Sequence, residues 1–351
     1  VLVLSINTRL EKVFDKTVAS KQVHECICYI ESEAGDISWS KGYGGKEQES
    51  PFLVASITKL FTTTCIIKLL ESSKLKLSDK LVKYLEPEML EGIHVFRGTD
   101  SSAKLTVANL LFQTSGLPDW FLDGSNAYAK RMIQEDFSFN FDEVLQVTKK
   151  MKPKFPPDTP KKAYYTDINF DLLGKVIEEI TTLSLKEVYE NYIFKPLNLK
   201  NTYLAGEDSG ELPTVYYQNN LLQRDNFIKS IGASGGGISN ANELMIFIKA
   251  FWSGKLFDPA LFKILAAHNR LQVSFYPISY AGGYMRMEAG YPLMAKTELL
   301  GHSGSTGSFA FYAPKQGIYY VGDVSQFASP AIPIRFVMKL ALAAGIPGVR
   351  S

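Results

Sequence analysis

The chain is poor in the side chains that build several kinds of site. It holds three cysteines, Cys26, Cys28 and Cys65, an odd and sparse set that excludes a disulfide framework. Cys26 and Cys28 alternate along an apolar stretch, so on a strand they share a face and read as buried residues. The four histidines, His24, His94, His268 and His302, form no HExxH pattern, and no CxxC exists, so neither a metal nor an organic cofactor is expected. Neither sign of charge is in excess: 38 Lys and Arg face 36 Asp and Glu, with no basic run, which excludes a nucleic-acid surface. No apolar run reaches the ~18 residues of a transmembrane span. The opening "VLVLS" is too short for a secretory leader. The chain starts at Val1 rather than Met, so an extracytoplasmic place is expected if a leader was removed and a cytoplasmic one otherwise. Oligomeric state is not set by any of these features.

What is present is ample material for a core. The 351 residues are 46% hydrophobic and 21% charged, enough for two domains or one domain with an insertion. Ile6, Leu10, Val13, Phe14 and Val18 mark a helix over about 5–19. "HECICYIE" and "DISWSKGY" read as a hairpin turning at Gly35, and "SITKLFTTTCIIKLLE" as a largely buried helix. From about 72 to 230 helical patterns dominate. Asn140 with Glu143 forms a capping box, and Asn240 with Glu243 caps a later helix. A hairpin with Pro314 and Gly317 in its turn and an apolar helix close the chain. Strands at both ends and helices between imply an α/β (α+β) fold. Residues 1–71 and 231–351 would form the sheet domain, with 72–230 a mostly helical domain and the site at their junction.

Three stretches could carry chemistry. In "FLVASITKLF", Ser56 and Lys59 stand three apart, on one face of a helix. A helix N-terminus and burial both disfavour an ammonium, which would turn Lys59 toward accepting the proton of a serine nucleophile. The other reading is a chance S-x-x-K. In "AYYTDINFDLLGKVIEEIT", Tyr165 precedes a helix and is followed by Asp167 and Asn169. A phenol beside a cation is lowered from its usual ~10 and could act as an anionic base. The alternative is a cap by Thr166 or Asp167 with the tyrosines in the core. In "LLGHSGSTGSFAFY", three glycines open a strand edge that could offer N–H groups to an acyl oxygen or lie along an extended peptide, with His302 to orient Tyr165 or the substrate. A plain Gly/Ser turn is the rival reading.

Together, in this order, the three stretches resemble the serine β-lactamase and penicillin-binding protein superfamily, in its branch of class C β-lactamases, D-alanyl-D-alanine carboxypeptidases, D-aminopeptidases and esterases. "VASITKLFT" resembles its Ser-x-x-Lys helix, and "LTVANLLFQTSGLPDW", "GASGGGISNANELMIF" and "GHSGSTG" resemble further stretches of it, over about 5–345. The resemblance implies a β-lactamase/transpeptidase-like fold, an antiparallel sheet flanked by helices. It implies Ser56 as the acylated nucleophile, Lys59 as proton relay, Tyr165 as general base, and an oxyanion hole from the N–H groups of Ser56 and Ser305 beside Gly304. Its substrates would be small molecules: a D-amino-acid peptide, an ester, or β-lactams. Two positions depart from the family pattern. Asp167 stands where Tyr-x-Asn has an amide; a carboxylate can pair with Lys59, which would hold the lysine protonated and shift the base role toward Tyr165, but it cannot donate to a substrate carbonyl. Asn169 would replace that amide only if the backbone were offset. His302 stands where class C enzymes have the lysine of Lys-Thr-Gly, which favours a peptidase or esterase over a β-lactamase. Trp120 either walls the acyl pocket or is core. A penicillin-binding sensor with little turnover is the non-enzyme alternative.

Overall fold

The computed structural model describes residues 5–290 and 296–345; the apolar start, Val1–Leu4, lies outside them. Ser5 caps the first helix, α1 (Ile6–Val18), by accepting from the Thr8 N–H. The hairpin strands β1 (Cys26–Ser32) and β2 (Ser38–Tyr43) follow, with Gly35 at φ 75° in the turn. The helix after them, α2 (Thr58–Glu71), is buried nearly all round, and a single 3₁₀ turn, Ala55–Ile57, leads into it. Two more helices place the site, α3 (Asp167–Thr181) and α4 (Ala241–Ser253), and α5 (Ala331–Gly345) closes the described chain.

The main sheet has eight strands, all neighbours antiparallel. Beside β1 and β2 it holds β3 (Asn269–Arg270), β4 (Ser279–Tyr280), β5 (Met285–Ala289), β6 (Thr297–Ser303), β7 (Ser308–Ala313) and β8 (Ile318–Asp323), in the order β3-β4-β5-β6-β7-β8-β1-β2. The N-terminal hairpin thus completes a sheet made from the C-terminal third, with Ile27 opposite Asp323. Alternation sets the two faces. Phe309 of β7 meets Phe336 of α5, and Tyr312 of the same strand faces Trp252 of α4. Helices α1 and α5 are tied by the Arg9 Nε–H donating to the Ala343 carbonyl at 2.8 Å. Cys26 and Cys28 are free and buried, as their alternation implies. The fold class is therefore the one expected, an antiparallel sheet flanked by helices.

Two capping expectations fare differently. Asn140 and Glu143 make the full reciprocal box. Asn240 accepts from the Glu243 N–H at 2.9 Å, but the Glu243 carboxylate leaves the helix to accept from the Lys200, Asn201 and Thr202 segment. No helix among the described residues is long and apolar enough to cross a membrane.

Candidate active site

Ser56 sits in the 3₁₀ turn ahead of α2, and the residue before it, Ala55, is held at φ 46°, a left-handed conformation costly for an alanine. That turn is pinned from outside. Ser308 Oγ donates to the Val54 carbonyl at 2.8 Å, and Thr306 Oγ1 donates to the Leu53 carbonyl at 2.9 Å. The β6–β7 turn therefore lies directly on the Ser56 turn. Gly304 is what permits the approach: a Cβ there would stand 2.2 Å from Ser308 Oγ and 2.7 Å from the Val54 oxygen. Ser305 follows it and lines the same cleft as Ser56, and among the described residues its N–H has no acceptor within the protein. The expected open strand edge is narrower than the sequence suggests. Strand β6 is paired with β5 as far as Gly301 and with β7 through Ser303, so only its last residues, from His302 on, have a free side.

Lys59 is fully buried, and its Nζ has three partners: Ser56 Oγ at 3.1 Å, Asp167 Oδ1 at 2.6 Å and the Ser234 carbonyl at 2.6 Å. Three acceptors match the three N–H bonds of an ammonium. The pairing expected of a carboxylate at position 167 is present: Asp167 and Lys59 form a buried ion pair. Asp167 is the first residue of α3. Its N–H is capped not by its neighbour Thr166, whose side chain makes no cap bond, but by Asp119 Oδ1 at 2.9 Å. Asn169 does not stand in for an amide in the cleft. It is wholly buried, with its Nδ2 donating to Gln113 and its Oδ1 accepting from Ser115.

Tyr165 lies across the lysine, its ring centroid 5.0 Å from Nζ. Phe275 stacks on the ring at 4.9 Å. The Gln272 amide grips the backbone, accepting from Tyr165 N–H at 2.9 Å and donating to its carbonyl at 3.3 Å. The phenol oxygen is buried and has no hydrogen-bond partner at normal length. The expected lowering of this phenol does not occur. Burial and then the Asp167 charge push it well above the usual value of 10, against a smaller opposing pull from the Ser56 hydroxyl.

His302 is also fully buried. Its Nδ1 lies 2.8 Å from the Ser303 carbonyl and its Nε2 3.2 Å from the Tyr280 hydroxyl. A carbonyl can only accept, so Nδ1 carries the hydrogen and Nε2 accepts from Tyr280. Burial and the Lys59 charge lower this imidazole to about 3, so it is neutral at physiological pH. His302 touches Tyr280 rather than Tyr165, whose ring lies 6.0 Å away. Tyr280, Asp119, Ser234 and Gln272 are contributors that sequence reasoning did not single out. Asp119, inside "SGLPDW", and Ser234, inside "GASGGGIS", lay in stretches that carry the resemblance; Tyr280 and Gln272 gave no sign.

Trp120 is both core and wall. It is 1% exposed, lines the Ser56 cleft, and donates its indole N–H to Asp171 Oδ2 at 3.0 Å. Asp171 is pushed up to about 7 by burial and by Asp167. Among the described residues, the only cationic side chain lining the cleft, Arg224, spends its guanidinium on the carbonyls of Met132, Ile133 and Gln223.

The model of the Beta-lactamase family matches residues 27–333, a span that holds every one of these side chains. The chain belongs to the Beta-lactamase family. It is 25% identical over 319 residues to an N-acetylmuramyl-L-alanine amidase of Bacillus subtilis, covering 79% of this chain and 70% of that protein. It is 24% identical over 294 residues to a putative D-alanyl-D-alanine carboxypeptidase of Salmonella enteritidis, covering 74% of this chain and 66% of that one. A crystal structure of a D-stereospecific amidohydrolase from Streptomyces superposes with a TM-score of 0.80 at 22% identity, over 98% of this chain and 99% of that one. The family relatives are hydrolases, and the Streptomyces structure shows that the fold is shared.

Proposed function

We propose that this Beta-lactamase family member is a serine hydrolase that works through an acyl-enzyme on Ser56. The observation that carries the reading is Lys59 Nζ at 3.1 Å from Ser56 Oγ, with the unpartnered Tyr165 hydroxyl facing the same serine. In the ionised fraction of Tyr165, Ser56 Oγ attacks the acyl carbon as its proton passes to the phenolate, which later returns it to the leaving group. The Lys59 ammonium holds Ser56 and lends positive charge to the forming alkoxide. The N–H groups of Ser56 and Ser305 receive the oxyanion; one such donor contributes ~3–4 kcal/mol in the transition state. Water completes the cycle. The cleft lies where residues 72–230, which supply Trp120, Tyr165 and Asp167, meet the sheet-forming segments that supply Ser56, Lys59, His302 and Ser305.

The electrostatics favour one class of substrate. A β-lactam or a D-Ala-D-Ala terminus brings a carboxylate that needs a free cation. Here Lys59 is paired, His302 is neutral and Arg224 is occupied. The Asp167 carboxylate faces the cleft, whose remaining walls are mostly apolar, including Phe121, Met132, Phe227 and Ile228. This supports small esters and amides, above all acyl groups with an α-amino nitrogen such as D-amino-acid amides. Incubation with a fluorophosphonate and with a fluorescent penicillin, followed by intact-mass measurement, tests the reading. The expected result is an adduct on Ser56 that is absent in Ser56→Ala, together with a loss of ester or amide hydrolysis of more than ~10⁴-fold in that variant. A stable penicillin adduct without turnover of any substrate would instead favour a sensor. Hydrolysis that survives in Ser56→Ala would overturn the acyl-enzyme.

A further inference from the structure

A second, partly open cavity adjoins the Ser56 cleft. The cleft holds about 50 Å³ and the adjoining rear cavity about 280 Å³. Two side chains line both, Trp120 and Ile231. The rear cavity is apolar on much of its wall, through Phe139, Phe141, Val144 and Leu185, while Lys175 and Lys186 are among its polar residues. Trp120 does not stand between the two spaces by chance of rotamer. Its indole N–H is fixed by Asp171, and Tyr128 and Phe139 pack on its ring at 5.2 and 5.3 Å. A buried tryptophan held by a hydrogen bond on one side and aromatic contacts on the others is a rigid partition.

We infer that Trp120 is the end wall of the acyl pocket and sets the length of acyl group that the enzyme accepts, and that the cavity beyond it, open to solvent along Ser184 and Lys186, is an apolar chain site separated from the cleft by this side chain beside Ile231. The inference rests on the Ser56 acyl-enzyme reading, since the pocket is measured from the acylated oxygen. The wall admits short or compact acyl groups beside Ser56. A longer acyl chain that extends toward the rear cavity meets the indole first. Shortening Trp120 joins the two spaces and gives such a chain an apolar lining. Asp171 acts here as a positioning residue, holding the wall upright.

The test compares labelling of Ser56 by an ethyl and an octyl fluorophosphonate, read by intact mass. In this step Ser56 Oγ bonds to phosphorus, the P–F bond breaks, fluoride leaves with the electron pair, and the serine proton goes to Tyr165 and then to solvent. In Trp120→Ala the octyl-to-ethyl rate ratio is expected to rise at least about tenfold over the parent chain. Where that variant does not fold, as judged by its circular dichroism and melting, Trp120→Leu takes its place. Trp120→Phe keeps an aromatic wall but loses the N–H, and its ratio should stay near the parent value. Adding Leu185→Trp to Trp120→Ala refills the rear cavity and should reverse the gain. A folded Trp120→Ala with an unchanged ratio, or an equal gain in Trp120→Phe, overturns the wall assignment alone. If neither probe labels Ser56 in the parent chain, the acyl-enzyme reading fails, and the wall assignment fails with it.

Discussion

The two sides of the Ser56 cleft are built on opposite electrostatic plans. On one side, Lys59, Asp167 and the Ser234 carbonyl form a charged cluster joined by contacts of 2.6 Å, with Asp119 and Asp171 close behind. On the other, Tyr165, Tyr280, Phe275 and His302 form a buried aromatic wall that carries no net charge. The two charges are paired, yet both reach the aromatic side: Lys59 lowers His302 and Asp167 raises Tyr165. Burial is the larger influence on each, and at neutral pH the phenol meant to accept a proton is held in its protonated form. A carboxylate in place of an amide at position 167 thus acts chiefly on a group across the cleft.

The largest effect expected from breaking this contrast is at the aromatic wall. Tyr165→Phe should lower acylation by ~10²–10⁴-fold, the range of a positioned general base. In the parent chain the phenolate form grows only as pH rises, since its proton is held above the usual value of 10. Acylation rates measured by stopped flow should therefore climb with pH through the alkaline range. A flat profile above pH 8 would remove Tyr165 from the base role.

A middle-sized effect is expected at the charged side. Asp167 raises Tyr165, Asp119 and Asp171 alike. Asp167→Asn should relieve all three, speeding acylation at neutral pH by about tenfold, or ~1.4 kcal/mol in the barrier. The pH profile should move toward acid. An acylation rate unchanged within error would mean that the Asp167 charge does not reach the base. The same change leaves Lys59 without its counter-ion, so a lower melting temperature should accompany the gain.

The smallest effect at neutral pH is one of acid stability. His302 is lowered from 6.5 to about 3, so the unfolded chain binds its proton first. The stability from keeping this imidazole neutral is present above pH 6.5 and is lost as pH falls from there toward about 3. Asp171 runs the other way: its carboxyl, raised from 3.8 to about 7, contributes stability at low pH that is lost as pH rises through about 7. Melting temperatures of His302→Gln between pH 3 and 6.5 should fall less steeply toward acid than those of the parent chain. An identical slope would sink the buried, neutral assignment.

Much of the local architecture was legible from residue pattern. The helix at Ile6–Val18, the turn at Gly35, the box at Asn140 and the closing apolar helix each follow from spacing or from one special residue. The short strands β3 and β4 gave no such sign, being two residues each and placed by a loop rather than by alternation. In the site, the serine and the lysine could be read from one stretch and the tyrosine from a second, because each sits at a recognisable junction of turn and helix. The pairing of Lys59 with Asp167 was legible too, but the raised phenol of Tyr165 was not, since it depends on burial and on which group lies nearby in the fold.

The sequence by itself determined the residue types that meet at the cleft and the elements that carry them, since periodicity, caps and glycines act locally. Tertiary structure alone decided that Asp119 caps α3, that Tyr280 holds His302, that Glu243 leaves its own helix, and that Trp120 stands between two cavities. Each of these is a contact between residues far apart in the chain. Burial then fixed what the contacts mean, because removing water strengthens every charge interaction and makes an unpaired one costly. That is why the pairing of Asp167 with Lys59 could be expected from residue types, while its effect on a buried Tyr165 is revealed by the folded chain.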